Sequence, residues 1–191
     1  MLGGLVKIWQ YLLNLMDKQP HPLWADWFRK KSLKQTTMLD LLRENVLFKT
    51  LDSRELLYLS SMVYERHYEA NEAVFKQGDQ GFGMYIIASG RIAIHNSTKL
   101  PTELVTYLDA GSFFGELALV DPENLRSAHA VATEAATLYG FFKSDLMEII
   151  ERKPAMGAKI LFQLSYVIGQ RLIETTEILS ETLRERLPKS E

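Results

Sequence analysis

The chain contains no cysteine, which removes disulfides, thiolate nucleophiles and Cys-ligated zinc from consideration and fits a reducing compartment. Neither sign of charge is in excess. With 22 Lys and Arg against 24 Asp and Glu, the net charge is -2, so there is no global basic field of the kind that gives sequence-independent nucleic-acid affinity, and DNA is not expected as a partner. A long hydrophobic run is missing as well. The apolar segment Leu2 to Met16 is interrupted by Lys7 and Asn14 and falls short of the roughly 20 residues that a spanning helix needs. It also lacks the leading positive charge and small-residue cleavage site of a secretory signal. No Gly-Lys-Ser phosphate loop, Rossmann glycine fingerprint or Ser-His-Asp order around a nucleophile elbow occurs. His67, His95 and His129 are scattered without partners at metal-ligand spacing. The expectation is a cytoplasmic binding protein that is not an enzyme and holds no metal or cofactor.

What the chain does have is a core and a change of pattern. Hydrophobic residues make up 47% of its 191 positions, enough to bury a core. Leu2, Leu5, Val6, Trp9, Leu12, Leu13 and Met16 share one helical stripe that Pro20 and Pro22 end. Trp24, Trp27 and Phe28 then lead into Arg29, Lys30, Lys31 and Lys34, an aromatic-then-basic order suited to packing on protein, with a membrane surface as the second option for residues 1–34. Two more helices are expected over Met38 to Glu44 and Ser53 to Val63, the second capped by Asp52 or Ser53 and carrying Leu56, Leu57, Leu59 and Met62.

From Tyr64 to Phe142 the pattern becomes short β-prone runs. Ala73 to Lys76, Gly83 to Ala88, Arg91 to His95 and Leu104 to Leu108 are separated by Gln77-Gly78-Asp79, Ser89-Gly90 and Asp109-Ala110-Gly111. Short strands with frequent turns predict a small antiparallel barrel or jelly roll. Lys143 to Glu151 returns to helix, and Pro154 opens a helix that need not stop before Pro188, roughly 50 Å at 1.5 Å per residue. Along it Leu161, Leu164, Ile168, Leu172, Thr175, Leu179 and Leu183 step by three, four and four, twice. Such eleven-residue spacing favours a nearly straight or slightly right-handed coiled coil. A symmetric copy is the economical cover for this seam, giving a homodimer; the alternative is that the seam packs on the chain's own N-terminal helices. The fold class is thus α+β: a helical extension at 1–45, a β-roll at 46–153 and a long C-terminal helix at 154–188.

The segment Phe113-Phe114-Gly115-Glu116-Leu117-Ala118-Leu119 precedes an acidic loop, Val120 to Leu125, and then Arg126-Ser127-Ala128-His129-Ala130-Val131. This string resembles the phosphate-binding cassette of the cyclic-nucleotide-binding domain family. Lys76-Gln77-Gly78-Asp79, Tyr85-Ile86-Ile87-Ala88-Ser89-Gly90 and Leu108-Asp109-Ala110-Gly111 are similar to that family's strand and turn pattern, and the resemblance runs from about Leu47 to Leu187. Phe114, Gly115, Glu116, Leu117, Ala118, Arg126, Ser127 and Ala128 are therefore the candidate ligand residues.

Their chemistry fits. A cyclic phosphodiester needs a non-titrating cation with directional donors, and Arg126 is the only Arg between Arg91 and Arg152. Gly115 lets backbone approach the ligand, a short helix from Glu116 aims N–H groups at the phosphate, and Ser127 adds a hydroxyl. The resemblance gives Glu116 the ribose 2'-hydroxyl. Against these stand an ordinary surface Arg126 beside Asp121 and Glu123, a Glu116 that only caps the helix, and turn roles for Gly115 and Ser127. His129 occupies the neighbourhood where hydroxyls help some members hold guanine, which leans toward cyclic AMP (cAMP) over cyclic GMP (cGMP). Leu125 replaces the family's common Pro, and the ten-residue step from Glu116 to Arg126 matches the bacterial catabolite activator type.

Gln170 to Glu177 resembles that type's dimer helix, where Thr175 and Thr176 take the positions that reach the adenine amino group; the competing role for Thr175 is to set coiled-coil register. The activator type continues into a DNA-reading helix-turn-helix, which is not expected in the few residues after Leu187. The expectation is a homodimeric cAMP sensor that signals to a protein partner or membrane. The alternative is a dimeric scaffold or membrane-peripheral adaptor whose nucleotide pocket is unused.

Overall fold

The computed structural model describes residues 37–96, 103–121, 123 and 125–186. The expectations for the helix and aromatic-basic run within residues 1–36, for positions 122 and 124 of the acidic loop and for Pro188 lie outside the described residues, as do the side chains of Leu179 and Leu183.

Two short helices open the described chain, and both are fixed by local hydrogen bonding. In α1 (Met38–Glu44) Thr37 is the N-cap and Asp40 reaches back to its backbone. In α2 (Ser53–Ser60) the Asp52 carboxylate accepts from Arg54 N at 2.8 Å and Glu55 N at 2.9 Å, while Glu55 accepts from Asp52 N at 2.8 Å. This reciprocal box satisfies the donors that a helix start leaves open. The helix ends at Ser60 rather than Val63, because the Ser60 and Ser61 hydroxyls donate to the carbonyls of Leu57 and Tyr58 at 2.8 and 2.7 Å. Met62 and Val63 are buried beyond the helix end, whereas Leu57, one of the apolar residues the helix carries, is 62% exposed.

Eight strands follow: β1 (Tyr64–Tyr68), β2 (Ala73–Phe75), β3 (Gly83–Ser89), β4 (Ile92–Asn96), β5 (Glu103–Leu108), β6 (Phe113–Phe114), β7 (His129–Ala132) and β8 (Ala136–Phe142). They form two antiparallel sheets, ordered β1-β8-β3-β6 and β2-β7-β4-β5. This is the expected β-roll. Lys76 and Arg91 fall just outside their strands; Arg91 instead closes the β5–β6 turn through Asp109, at 2.6 Å. Ile87, Ile92, Leu108, Phe114, Ala130, Ala132, Ala136 and Leu138 form one buried cluster, each large aliphatic contributing about 1.5–3 kcal/mol through burial. Small Ala residues on β7 and β8 let Phe114 fit among them.

A 3-10 helix (Glu116–Leu119) interrupts the strands, and α3 (Lys143–Arg152) and the 33-residue α4 (Pro154–Arg186) close the chain. Met156, Ile160, Leu164 and Val167 of α4 are buried, and Lys159 Nζ reaches both Glu55 oxygens at 2.8 and 2.9 Å, tying α4 to α2. Leu164 therefore belongs to the chain's own core and not to an open seam. The eleven-residue pattern ran across two faces: a domain-facing stripe through Met156, Ile160, Leu164 and Val167, and a flank on which Leu161 and Ile168 are half-buried and Leu172 is 66% exposed. No described helix is long and apolar enough to cross a membrane.

Candidate functional site

The candidate residues converge where β6 meets β3. Tyr85 pairs with Phe114 and Ile86 with Phe113, after which Gly115 turns the chain at φ 76°, the left-handed region, into the 3-10 helix. Glycine is required there twice over, since that φ strains other residues and a Cβ would lie 2.5 Å from Arg126 Nη1. Arg126 is delivered from the opposite side. Its N–H donates to Asp79 O at 2.9 Å and its carbonyl accepts from Gly78 N at 2.8 Å, so the β2–β3 turn grips its backbone.

The Arg126 side chain then runs inward and is only 7% exposed. Nη1 donates to the Gly115 carbonyl at 3.0 Å, and the guanidinium lies over the Phe75 ring at 4.1 Å and near Tyr85 at 5.9 Å. Nε is buried with no acceptor among the described residues. A Cβ on Gly81 would stand 2.7 Å from that nitrogen, so a second glycine shapes the seat. Burial pulls the guanidinium below its ordinary pKa, opposed by Tyr85 and Glu116. No carboxylate forms an ion pair with it among the described residues. Arg126 is thus not the ordinary surface arginine beside Asp121 and Glu123.

Glu116 is also buried, at 4% exposure, but its situation is the reverse. Its Oε1 accepts from Arg171 Nη1 on α4, and the Arg171 guanidinium lies 5.0 Å from the centroid of the Phe113 ring. Glu116 makes no capping bond to the 3-10 helix; it is an ion-pair partner. Ala118 is buried two residues on, while Leu117 is 42% exposed.

Ser127 is exposed and Ala128 half-buried just past Arg126. Thr175 and Thr176 are exposed one turn beyond Arg171, their hydroxyls donating to the carbonyls of Arg171 and Leu172 at 2.7 and 2.8 Å. The structure therefore brings Phe114, Gly115, Glu116, Ala118 and Arg126 together, and leaves the two threonines on α4 outside that cluster. His129 Nδ1 accepts from Gln77 N at 3.2 Å, which commits it to the turn. Phe75, Gly81, Tyr85 and Arg171 had no sequence-based assignment. Arg171 stood inside the Gln170 to Glu177 string, yet nothing in a local pattern ties it to a carboxylate 55 residues away.

A β-roll with a glycine-turned 3-10 helix, an inward arginine and a helix ion-paired to the same segment defines a regulatory ligand-binding domain. Residues 65–153 match the family described as cyclic nucleotide-binding domain. The cyclic AMP receptor protein of Thermus thermophilus is 30% identical over 142 residues, 74% of this chain and 65% of that protein. The crystal structure of Thermus thermophilus catabolite activator protein gives a TM-score of 0.64 at 31% identity, covering 72% of this chain and 63% of that one. A co-crystal structure of the regulatory domain of Toxoplasma gondii PKA with cAMP gives 0.56 at 26% identity, covering 63% and 46%. Residues 65–153 therefore form a domain of the cyclic nucleotide-binding family, and the chain spans 65% or less of the length of each of these relatives.

Proposed function

We propose that the chain binds a cyclic nucleotide, cAMP in preference to cGMP, as the sensing unit of a homodimer that signals to a partner protein. The observation that carries this is Arg126: a permanent cation, 7% exposed, with an unbonded Nε and no counter-ion among the described residues. An isolated buried charge is strongly unfavourable, and a phosphodiester seated at the guanidinium supplies the missing partner. The Thermus thermophilus relative is a cyclic AMP receptor and the Toxoplasma gondii domain was crystallised with cAMP, which supports this choice of anion.

The remaining roles follow from donor and acceptor chemistry. Ser127 adds a hydroxyl, small Ala118 and Ala128 leave room, and the Gly115 turn with the backbone N–H groups of Glu116 and Leu117 approaches the phosphate above Phe114. Glu116 keeps one carboxylate oxygen without a hydrogen bond among the described residues, available to the ribose 2'-hydroxyl. Thr175 and Thr176 have already donated their protons to helix carbonyls. What they retain is acceptor capacity, which suits the adenine amino group and not the guanine 6-oxygen. Because Glu116 touches both the ligand segment and Arg171 of α4, occupancy of the pocket biases how α4 packs. The flank of Leu161, Ile168 and Leu172 is the surface a second copy covers.

Calorimetric titration with cAMP, cGMP and a cyclic dinucleotide tests the ligand. Arg126→Ala is expected to weaken cAMP binding at least about a hundredfold; a wild-type chain that takes up none of the three, or a variant that binds as tightly, overturns the assignment. For the dimer, light scattering should show two copies in wild type and one in Leu172→Glu, and a monomeric wild type contradicts it.

A further inference from the structure

Arg126 is a long, buried cation without a counter-ion among the described residues, and something must hold it while no anion is bound. Beyond its bond to the Gly115 carbonyl, the guanidinium lies over the Phe75 ring, 4.1 Å from the centroid and nearer than Tyr85 at 5.9 Å. That ring is itself held: Phe114 lies 5.7 Å away and Tyr85 6.3 Å, and those two stack on each other at 5.7 Å with 29° between planes. Phe75 stands at the end of β2, opposite Ala130 of β7, so two strands fix the shelf before any ligand arrives.

We infer that Phe75 is a positioning residue for Arg126, setting the plane of the guanidinium that meets the ligand; this rests on the cyclic-nucleotide reading of the site. The ring's negative face attracts the cation most strongly where water is excluded. A planar guanidinium can lie flat on that face with its N–H groups pointing outward in one plane, an arrangement an ammonium has no means to adopt. Nη1 is fixed to the Gly115 carbonyl and Gly81 and Gly115 leave space on either side. The ring completes the seat by blocking rotation, so the rotamer freedom of a long side chain is already lost when the phosphate binds.

The test is a double-substitution cycle in the full chain, with cAMP affinity read by calorimetry. Phe75→Leu is expected to weaken binding about tenfold, Phe75→Tyr to stay within about twofold of wild type, and Phe75→Leu to add less than about twofold in an Arg126→Lys background, where no plane remains to be set. Equal weakening by Phe75→Leu in both backgrounds, or no weakening in either, overturns the proposal. A readout without ligand separates this from the nucleotide assignment: the rate of Arg126 modification by phenylglyoxal, followed by mass spectrometry, should rise several-fold in Phe75→Leu and not in Phe75→Tyr. If no nucleotide binds wild type, the ligand assignment fails while that rate still judges Phe75, and unchanged rates reject it. If Phe75→Leu does not fold, Phe75→Met carries the same expectations.

Discussion

Glu116 and Arg126 are both buried, at 4% and 7% exposure, and both lie within one cassette, yet they are satisfied in opposite ways. Glu116 finds its countercharge inside the chain, in Arg171 on α4. Arg126 has an aromatic face, one carbonyl and an unbonded Nε. Burial alone does not tell the two residues apart; the presence or absence of a countercharge among the described residues does. Folding completes the first pair, and on the proposed reading the second is left for an anion.

Substitutions can pull these two cases apart. The largest effect on stability belongs to the Glu116 side. Arg171→Ala strands a carboxylate whose side chain is 5% exposed, and is expected to lower the unfolding free energy in urea by about 2–4 kcal/mol, below the full figure for a buried pair because Arg171 is itself partly exposed. On the Arg126 side, Gly81→Ala places a Cβ 2.7 Å from Nε. Titration should show cAMP affinity falling about tenfold or more as the guanidinium is pushed off its seat, with a smaller change in stability.

Smaller is the combined change Thr175→Ala with Thr176→Ala, which removes two acceptors near the proposed base. A few-fold loss of preference for cAMP over cGMP is expected; identical selectivity before and after shows that the base is not read there. The smallest effect is a pH dependence on the Arg126 side, where Tyr68 interacts electrostatically with the guanidinium. Burial, and then the neighbouring Tyr85, push Tyr68 up from 10.0 to about 12. Between those values the unfolded chain sheds the phenolic proton and the folded chain keeps it. Stability is therefore full below about pH 10 and declines as pH rises toward 12. Urea midpoints at about pH 8 and about pH 11 should differ less in Tyr68→Phe than in wild type.

Much of the fold was legible because its causes are local. The Asp52 cap, the start of α3 and α4 after Phe142 and Lys153, and the glycine and aspartate turns between strands each depend on residues within a few positions of one another. The family resemblance was visible for the same reason, being carried by one continuous string from Phe113 to Val131. What escaped depends on contacts between distant segments. Phe75 and Gly81 matter because β2 and its following turn are laid against Arg126, and Arg171 because α4 returns past the 3-10 helix. Helical periodicity places Leu164 and Leu172 on neighbouring stripes without saying which one the domain covers, so Leu164 was assigned to a partner although its own core buries it. Leu57 shows the same limit on α2, being apolar at helical spacing and exposed.

The most direct measurement is urea unfolding of Arg126→Met beside wild type, each with and without cAMP. An apolar chain of similar volume in place of a buried, unpaired charge should leave the ligand-free protein as stable as wild type or more so, while abolishing the stabilisation that cAMP gives. If Arg126→Met instead unfolds at clearly lower urea without ligand, as Arg171→Ala is expected to do, Arg126 is a structural charge and the site is not reserved for an anion.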